Sequence, residues 1–343
     1  MGADYARPMP TPPTVHERPS RRVWIALLAV YIVWGTTYLG IEVVNASIPS
    51  FLGAGVRFLV AGAAMYAFTI RRGDREGDRP TRRAWIAATV IGAGLLVGGN
   101  GFVALAERAV DTGIVALIIA LVPIWMALID AVVLGHRPRP LVVVGLLGGF
   151  AGAALLVGTS ATNGVSLSGM LLAVFASLSW SAASLYSRTA PLPERPFVGV
   201  AMEMLCGGAL LLVAGVVTGE VGDLDLGGIT SASVVALGYL IVFGSFVGFT
   251  SYLWLLRNTR TSLVSTYAYV NPIVAVSLGW LVLDERITGR MVGAGLVILV
   301  SVALIIASRA ERPTPDLTSG AELTDEGRDE IEREIALEGD AGA

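Results

Sequence analysis

Four charged residues stand within or at the end of otherwise apolar stretches, and their spacing repeats. Glu42 precedes Arg57 by fifteen positions, and Arg188 precedes Glu203 by fifteen. An offset of 146 carries Glu42 onto Arg188 and Arg57 onto Glu203, so an acid followed by a base returns as a base followed by an acid. The same offset aligns Trp34 with Trp180, Leu39 with Leu185, Phe51 with Phe197, Gly53 with Gly199, Leu59 with Leu205, Gly62 with Gly208 and Ala63 with Ala209. The chain therefore reads as two copies of one unit, and its chemistry is expected where they meet. A lone charge in hydrocarbon costs several kcal/mol, so each of the four calls for a partner. The symmetry of each hairpin predicts a Glu42–Arg57 ion pair at one membrane surface and an Arg188–Glu203 pair at the other. These would serve either as static ties or as two gates broken in turn. Glu42 and Glu203 are also the candidate proton carriers, although an arginine partner for each would oppose protonation, which leaves coupling open.

A second set of residues suits contact with a small organic ligand. Tyr31, Trp34, Tyr38 and Glu42 recur at helical spacing on one face, and Trp34 and Tyr38 lie too deep for an interfacial aromatic belt. The counterpart face of the second unit carries Ser177, Trp180, Ser184 and Arg188. Asn100 sits in the glycine-rich run GAGLLVGGNG (92–101), where its amide must find a partner. That run lacks the Lys-Ser/Thr ending of a phosphate loop, and close helix packing through small residues accounts for it. Pro123 and Pro272 stand near the middle of two apolar stretches, where each removes a helix hydrogen bond and frees the carbonyl four residues back, Ile119 and Ala268. Matched irregularities in two halves point to a central binding site, although packing kinks alone account for either proline taken singly. Trp125 beside Pro123, and Tyr267, Tyr269 and Asn271 beside Pro272, complete the candidate substrate-binding set.

The elements that must position these residues are membrane helices. Of the 343 residues 54% are hydrophobic and 15% charged, and the mean hydropathy is +0.71, too apolar for a soluble protein of this size. Ten stretches approach or exceed the length that crosses about 30 Å of hydrocarbon. They are 23–44, 50–70, 84–106, 112–134, 141–158, 167–187, 197–218, 231–256, 262–283 and 290–308, the fifth being short. All 24 basic residues are arginine. A cytoplasmic N-terminus puts most of them inside, including the six of RRGDREGDRPTRR (71–83), and leaves outside only Arg108, Arg286 and Arg290. Both termini are then cytoplasmic, in an inner or plasma membrane. Five spans per unit is an odd number, so the second unit enters from the opposite side and the repeat is inverted.

The same inventory narrows the chemistry. One cysteine, Cys206, excludes an intramolecular disulfide, and two histidines, His16 and His136, both in polar segments, exclude a His/Cys metal cluster. No cofactor motif is present, no Walker loop hydrolyses ATP, and nucleic-acid binding is implausible. An enzyme would need a nucleophile with its base, and no span holds such a pair.

WGTTYLGIE with SFLGAGVRFL, then ALAERAVDTGIVALIIALVPIWMALI, then VLDERITGRMVGAGLVILVSVALII resemble, in that order, the EamA-type members of the drug/metabolite transporter superfamily. The likeness covers about 290 of the 343 residues. Where that family often has Gly-Glu-Arg after spans 4 and 9, this chain has Gly135-His136-Arg137 and Asp284-Glu285-Arg286. The resemblance implies an all-α protein with ten helices in two inverted five-helix repeats, here 23–158 and 167–308, a central cavity and alternating access. It implies an exporter of small metabolites or amino acids. Residues 1–22 are expected to be a disordered cytoplasmic segment, and 313–343, with ten acids against two arginines, an acidic cytoplasmic tail. The expected partners are a small-molecule substrate, the bilayer, protons as a coupling ion and a second copy in a homodimer. A sensor or scaffold, and a membrane-embedded enzyme acting on lipid, are the competing classes.

Overall fold

A computed structural model describes residues 20–71, 80–133, 135, 138–162, 166–259, 261–264 and 266–310. Among these residues the chain is helical throughout, with no strand. Helix α1 (Arg21–Asn45) and α2 (Ser50–Ile70) are followed by α3 (Arg82–Gly92), which runs through a π-helical segment (Ala93–Gly101) into α4 (Phe102–Glu107). Next come α5 (Thr112–Ile119), α6 (Val122–Val132) and α7 (Pro140–Thr162). The second half holds α8 (Leu167–Ser187), α9 (Pro196–Val217), the single turn α10 (Glu220–Asp223) and α11 (Ser231–Tyr239). A second π segment (Leu240–Val247) follows, then α12 (Gly248–Asn258), α13 (Thr261–Val264), α14 (Tyr267–Val282) and α15 (Gly289–Ala310). Eight helical stretches among the described residues are long and apolar enough to cross a membrane. Against the ten expected, the two shorter apolar helices, Pro140–Leu156 and Tyr267–Val282, fall below that length. The acidic tail lies outside the described residues.

Hydroxyl caps start several helices: Thr81 accepts from Ala84 N at 3.1 Å, Ser166 from Gly169 N at 3.3 Å and Thr230 from Ser233 N at 3.1 Å. Two helix starts are capped instead by carboxylates from far along the chain. Glu220 accepts from Phe51 N at 2.9 Å and Leu52 N at 3.0 Å, at the start of α2. Glu285 accepts from Thr112 N and Thr112 Oγ1, both at 2.7 Å, and from Gly113 N at 3.1 Å, at the start of α5. An anion at a helix N-terminus satisfies orphan N–H groups and complements the helix dipole.

The packing exchanges elements between the halves. Helix α1 lies mainly against α11, α12 and α14, whereas its 146-residue image α8 lies mainly against α3, the first π segment, α4, α5 and α6. Helix α2 packs on its own image, α9. A Cβ on Gly62 would fall 3.0 Å from Leu205 N, and one on Gly208 would fall 2.8 Å from Leu59 N. Those two contacts are images of each other under the same offset, so glycine brings the two backbones into touch at a local two-fold.

The irregular backbone repeats as well. Adding 146 to Ala93–Gly101 gives 239–247, which covers the second π segment. The helix breaks at Ala120–Leu121, between α5 and α6, and again ahead of α14 at Thr266, 146 residues after Ala120. The prolines themselves are not the matched feature. Pro123 lies in the first turn of α6, where its missing N–H is tolerated, whereas Pro272 lies inside α14.

Candidate functional site

Where α1 and α8 face each other, the bundle holds a partly open cavity of about 110 Å³. Its mostly apolar and aromatic lining, with a few polar groups among it, is that of a small-molecule site. Helix α1 contributes Trp34, Thr37, Tyr38 and Ile41, one face of a helix at i, i+3, i+4 and i+7, and α8 contributes Ala176 and Trp180. Trp34 and Trp180 are images of each other, so the repeat places an equivalent indole on each side. From the first π segment come Gly99 and Asn100, and from the broken helix of α5 and α6 come Ala116, Ile119, Ala120 and Val122. Phe249 of α12 and Tyr267, Ala268, Asn271 and Pro272 of α14 close the remaining side.

Packing sets each of these side chains. Trp34 donates its Nε1–H to the Gly244 carbonyl at 3.3 Å, and its ring centroid lies 5.1 Å from Tyr252, 5.1 Å from Tyr267 and 5.5 Å from Phe249. Such tilted and edge-to-face contacts are favoured by ring quadrupoles and hold the indole in one orientation. Tyr31, one turn before Trp34, instead hydrogen-bonds Thr266. Trp180 lies over Gly99, where an added Cβ would stand 2.9 Å from its ring. Glycine at that position is what lets the π segment approach α8. Asn100 donates from its side chain to the Leu95 carbonyl at 3.3 Å, within the same π segment. Asn271 is buried, and its Oδ1 has no hydrogen-bond partner.

Arg57 of α2 is the single charged residue among the described cavity-lining ones, and it is 4% exposed. Its Nε donates to Ser245 Oγ of the second π segment at 3.0 Å, and its guanidinium lies 4.7 Å from the centre of the Phe58 ring.

Neither expected ion pair forms. Glu42 Oε2 is buried with no hydrogen-bond partner, because α2 packs against α9 rather than back on α1 and Arg57 turns to Ser245 instead. Arg188 is exposed at the end of α8, in the electrostatic neighbourhood of Tyr252, whereas Glu203 is buried in α9, which packs on α2 and α3. Two of the aromatic candidates also lie off the cavity. Trp125 donates to Ser177 Oγ at 2.9 Å and packs 4.8 Å from Phe150, and Tyr269 joins the apolar core. Thus Trp34, Tyr38, Asn100, Trp180, Tyr267, Asn271, Pro272 and Arg57 converge, and Trp125, Tyr269, Pro123, Glu42, Arg188 and Glu203 do not line the space.

Sequence reasoning missed Thr37 and Phe249, whose types are ordinary in any membrane helix. It also missed Ser245, Glu285 and Glu107. Ser245 carried a usable signal, since it is a polar residue within an apolar span. Glu107 fell one position beyond the apolar stretch 84–106, yet it ends α4 and is 4% exposed.

The model of the EamA-like transporter family matches residues 21–158 and 167–307. YedA of Escherichia coli K12, an inner membrane transporter, is 39% identical over 260 residues, 74% of this chain and 80% of its own. A chloroplastic WAT1-related protein of Arabidopsis thaliana is 26% identical over 290 residues, 82% of this chain and 69% of its own. A solved crystal structure superposes with a TM-score of 0.59 at 24% identity, over 86% of this chain and 100% of that one, which is a likeness of fold.

Proposed function

Because the chain belongs to the EamA-like transporter family, we propose that it is a secondary transporter that exports small metabolites or amino acids by alternating access through the cavity between α1 and α8. The observation that carries this reading is the pairing of image residues Trp34 and Trp180 on one cavity midway along the apolar helices. A site built at a repeat interface from broken helices is what a rocking mechanism requires. In this reading ten helices cross the cell membrane as two inverted repeats with both termini cytoplasmic, and the two shorter apolar helices are the spans that complete the count.

The lining suggests the ligand chemistry. Aromatic walls suit an apolar or planar body, Asn271 Oδ1 offers an unused acceptor, and Arg57 supplies a buried positive charge that would receive a carboxylate. Amino acids and organic acids fit that set. The driving force is a proton gradient or the substrate's own gradient.

The test is the extracellular metabolite profile of cells expressing the full chain, beside cells expressing a Trp34→Ala, Asn271→Ala variant matched for membrane abundance. Selective accumulation of one carboxylate-bearing compound, lost in the variant, is the expected result. Identical profiles in both strains and in cells without the protein would overturn export.

A further inference from the structure

Glu107 is a buried acid at the end of α4, 4% exposed, and neither of its carboxylate oxygens has a hydrogen-bond partner. Glu42 Oε2 on α1 is likewise buried and unpartnered. We propose that Glu107, with Glu42 beside it, is a proton-binding site that accompanies the cavity, and that its proton occupancy is linked to Arg57.

Among the described residues, the titratable and charged groups in electrostatic reach of Glu107 are Tyr38 and Glu42 from α1, Arg57 from α2 and Glu285 from the loop before α15, while α8, which packs against α4, adds none. Asp111, ahead of α5, lies within electrostatic reach of Glu42 and Glu285. Four acids thus stand near one base. Glu285 is committed to the N–H groups and hydroxyl that open α5. Arg57 spends its Nε on Ser245 and forms no ion pair within 4 Å. A carboxylate removed from water and given neither a counter-ion nor a donor takes up a proton more readily than a solvated one. Two such groups in electrostatic reach of each other titrate as a pair, with one proton shared between them at the first step. A hard metal cation would need six or more oxygens around it, and the two glutamates offer three unpartnered ones. A proton asks for a single oxygen.

The link to Arg57 follows from charge. With the cavity empty, the guanidinium is the only cation facing Glu107 among the described residues and favours its ionised form. A substrate carboxylate bound at Arg57 cancels that help, so a proton from water joins a Glu107 oxygen as the anion enters. The two leave together, the bound complex adds no net charge to the membrane interior, and export of such a pair runs on the substrate's own gradient. This purpose rests on the transporter reading, but the proton site itself does not, and it can be read without any transport.

The experiment is infrared difference spectroscopy of the purified full chain in lipid nanodiscs, between alkaline and acid pH, in water and in deuterium oxide. A deuterium-sensitive carbonyl stretch of a protonated, unsolvated carboxyl group is expected in the wild type. It should be lost in Glu107→Gln, and in Glu42→Gln and Arg57→Gln it should persist while titrating over a different pH range. A spectrum unchanged by Glu107→Gln, or the absence of the band from the wild type, overturns the site. A titration unmoved by Arg57→Gln overturns the link. Should Glu107→Gln fail to give monodisperse protein, Glu107→Asp grown with carboxyl-¹³C glutamate decides the same point, because the carboxyl at that position is then the unlabelled one and its band stays unshifted. Loss of export with these spectra intact would count against the transporter reading alone.

Discussion

Trp34 does two jobs at once, and they can be separated by substitution. Its ring is held by Phe249, Tyr252 and Tyr267, and its Nε1–H reaches the Gly244 carbonyl. Trp34→Phe keeps an aromatic body among the three rings and loses one hydrogen bond, so its expected cost is about 1 kcal/mol. Trp34→Ala removes the body as well, and the expected cost is about 3 kcal/mol. Thermal unfolding of the purified protein should rank them in that order, and equal midpoints would mean that the ring contacts contribute nothing. The types of Trp34 and Tyr38 and their helical spacing were legible in the sequence because a helix face is a local property. The partners of Glu42 and Arg57 were not. Equal distance from a turn brings two side chains together only if the two helices pack on each other, and α2 found α9.

Among the elements, α5 depends on a residue that enters 173 positions later. Glu285 places three acceptor contacts on Thr112 and Gly113. Glu285→Gln removes the charge that complements the start of the helix, at an expected cost of about 1.5–3 kcal/mol, the range for hydrogen bonds to charged groups. The neighbouring Asp284 is exposed at φ 56°, a conformation that asparagine tolerates, so Asp284→Asn should leave the unfolding midpoint unchanged. Comparable losses in both variants would show that the loop, not the cap, is what matters. The sequence marked the breaks by their prolines, yet the breaks that actually repeat are at Ala120–Leu121 and Thr266, beside paired π segments. A π turn has no residue signature of its own. The glycines of the first segment allow it, and contact with α8 at Gly94, Gly98 and Gly99 shapes it.

At the scale of the whole molecule, the arginine distribution makes a prediction about sidedness. In a Cys206→Ser background, an impermeant maleimide added to intact cells should label Arg108→Cys and spare Arg188→Cys, both of these positions being exposed. The opposite pattern would invert the orientation and exchange the roles assigned to the two ends of the bundle. By itself the sequence determined the membrane class, the all-helical character and the doubling of the unit. These follow from apolar length, which lipid demands locally of each helix, and from identities at one fixed offset. Only the tertiary structure decided that α1 and α8 each pack into the other half, that the cavity lies between their tryptophans, and that Glu107 is buried without a partner. Those facts depend on which of several similar apolar faces meet. In a bilayer that choice turns on close fit at residues such as Gly62 and Gly208, which composition and periodicity do not encode.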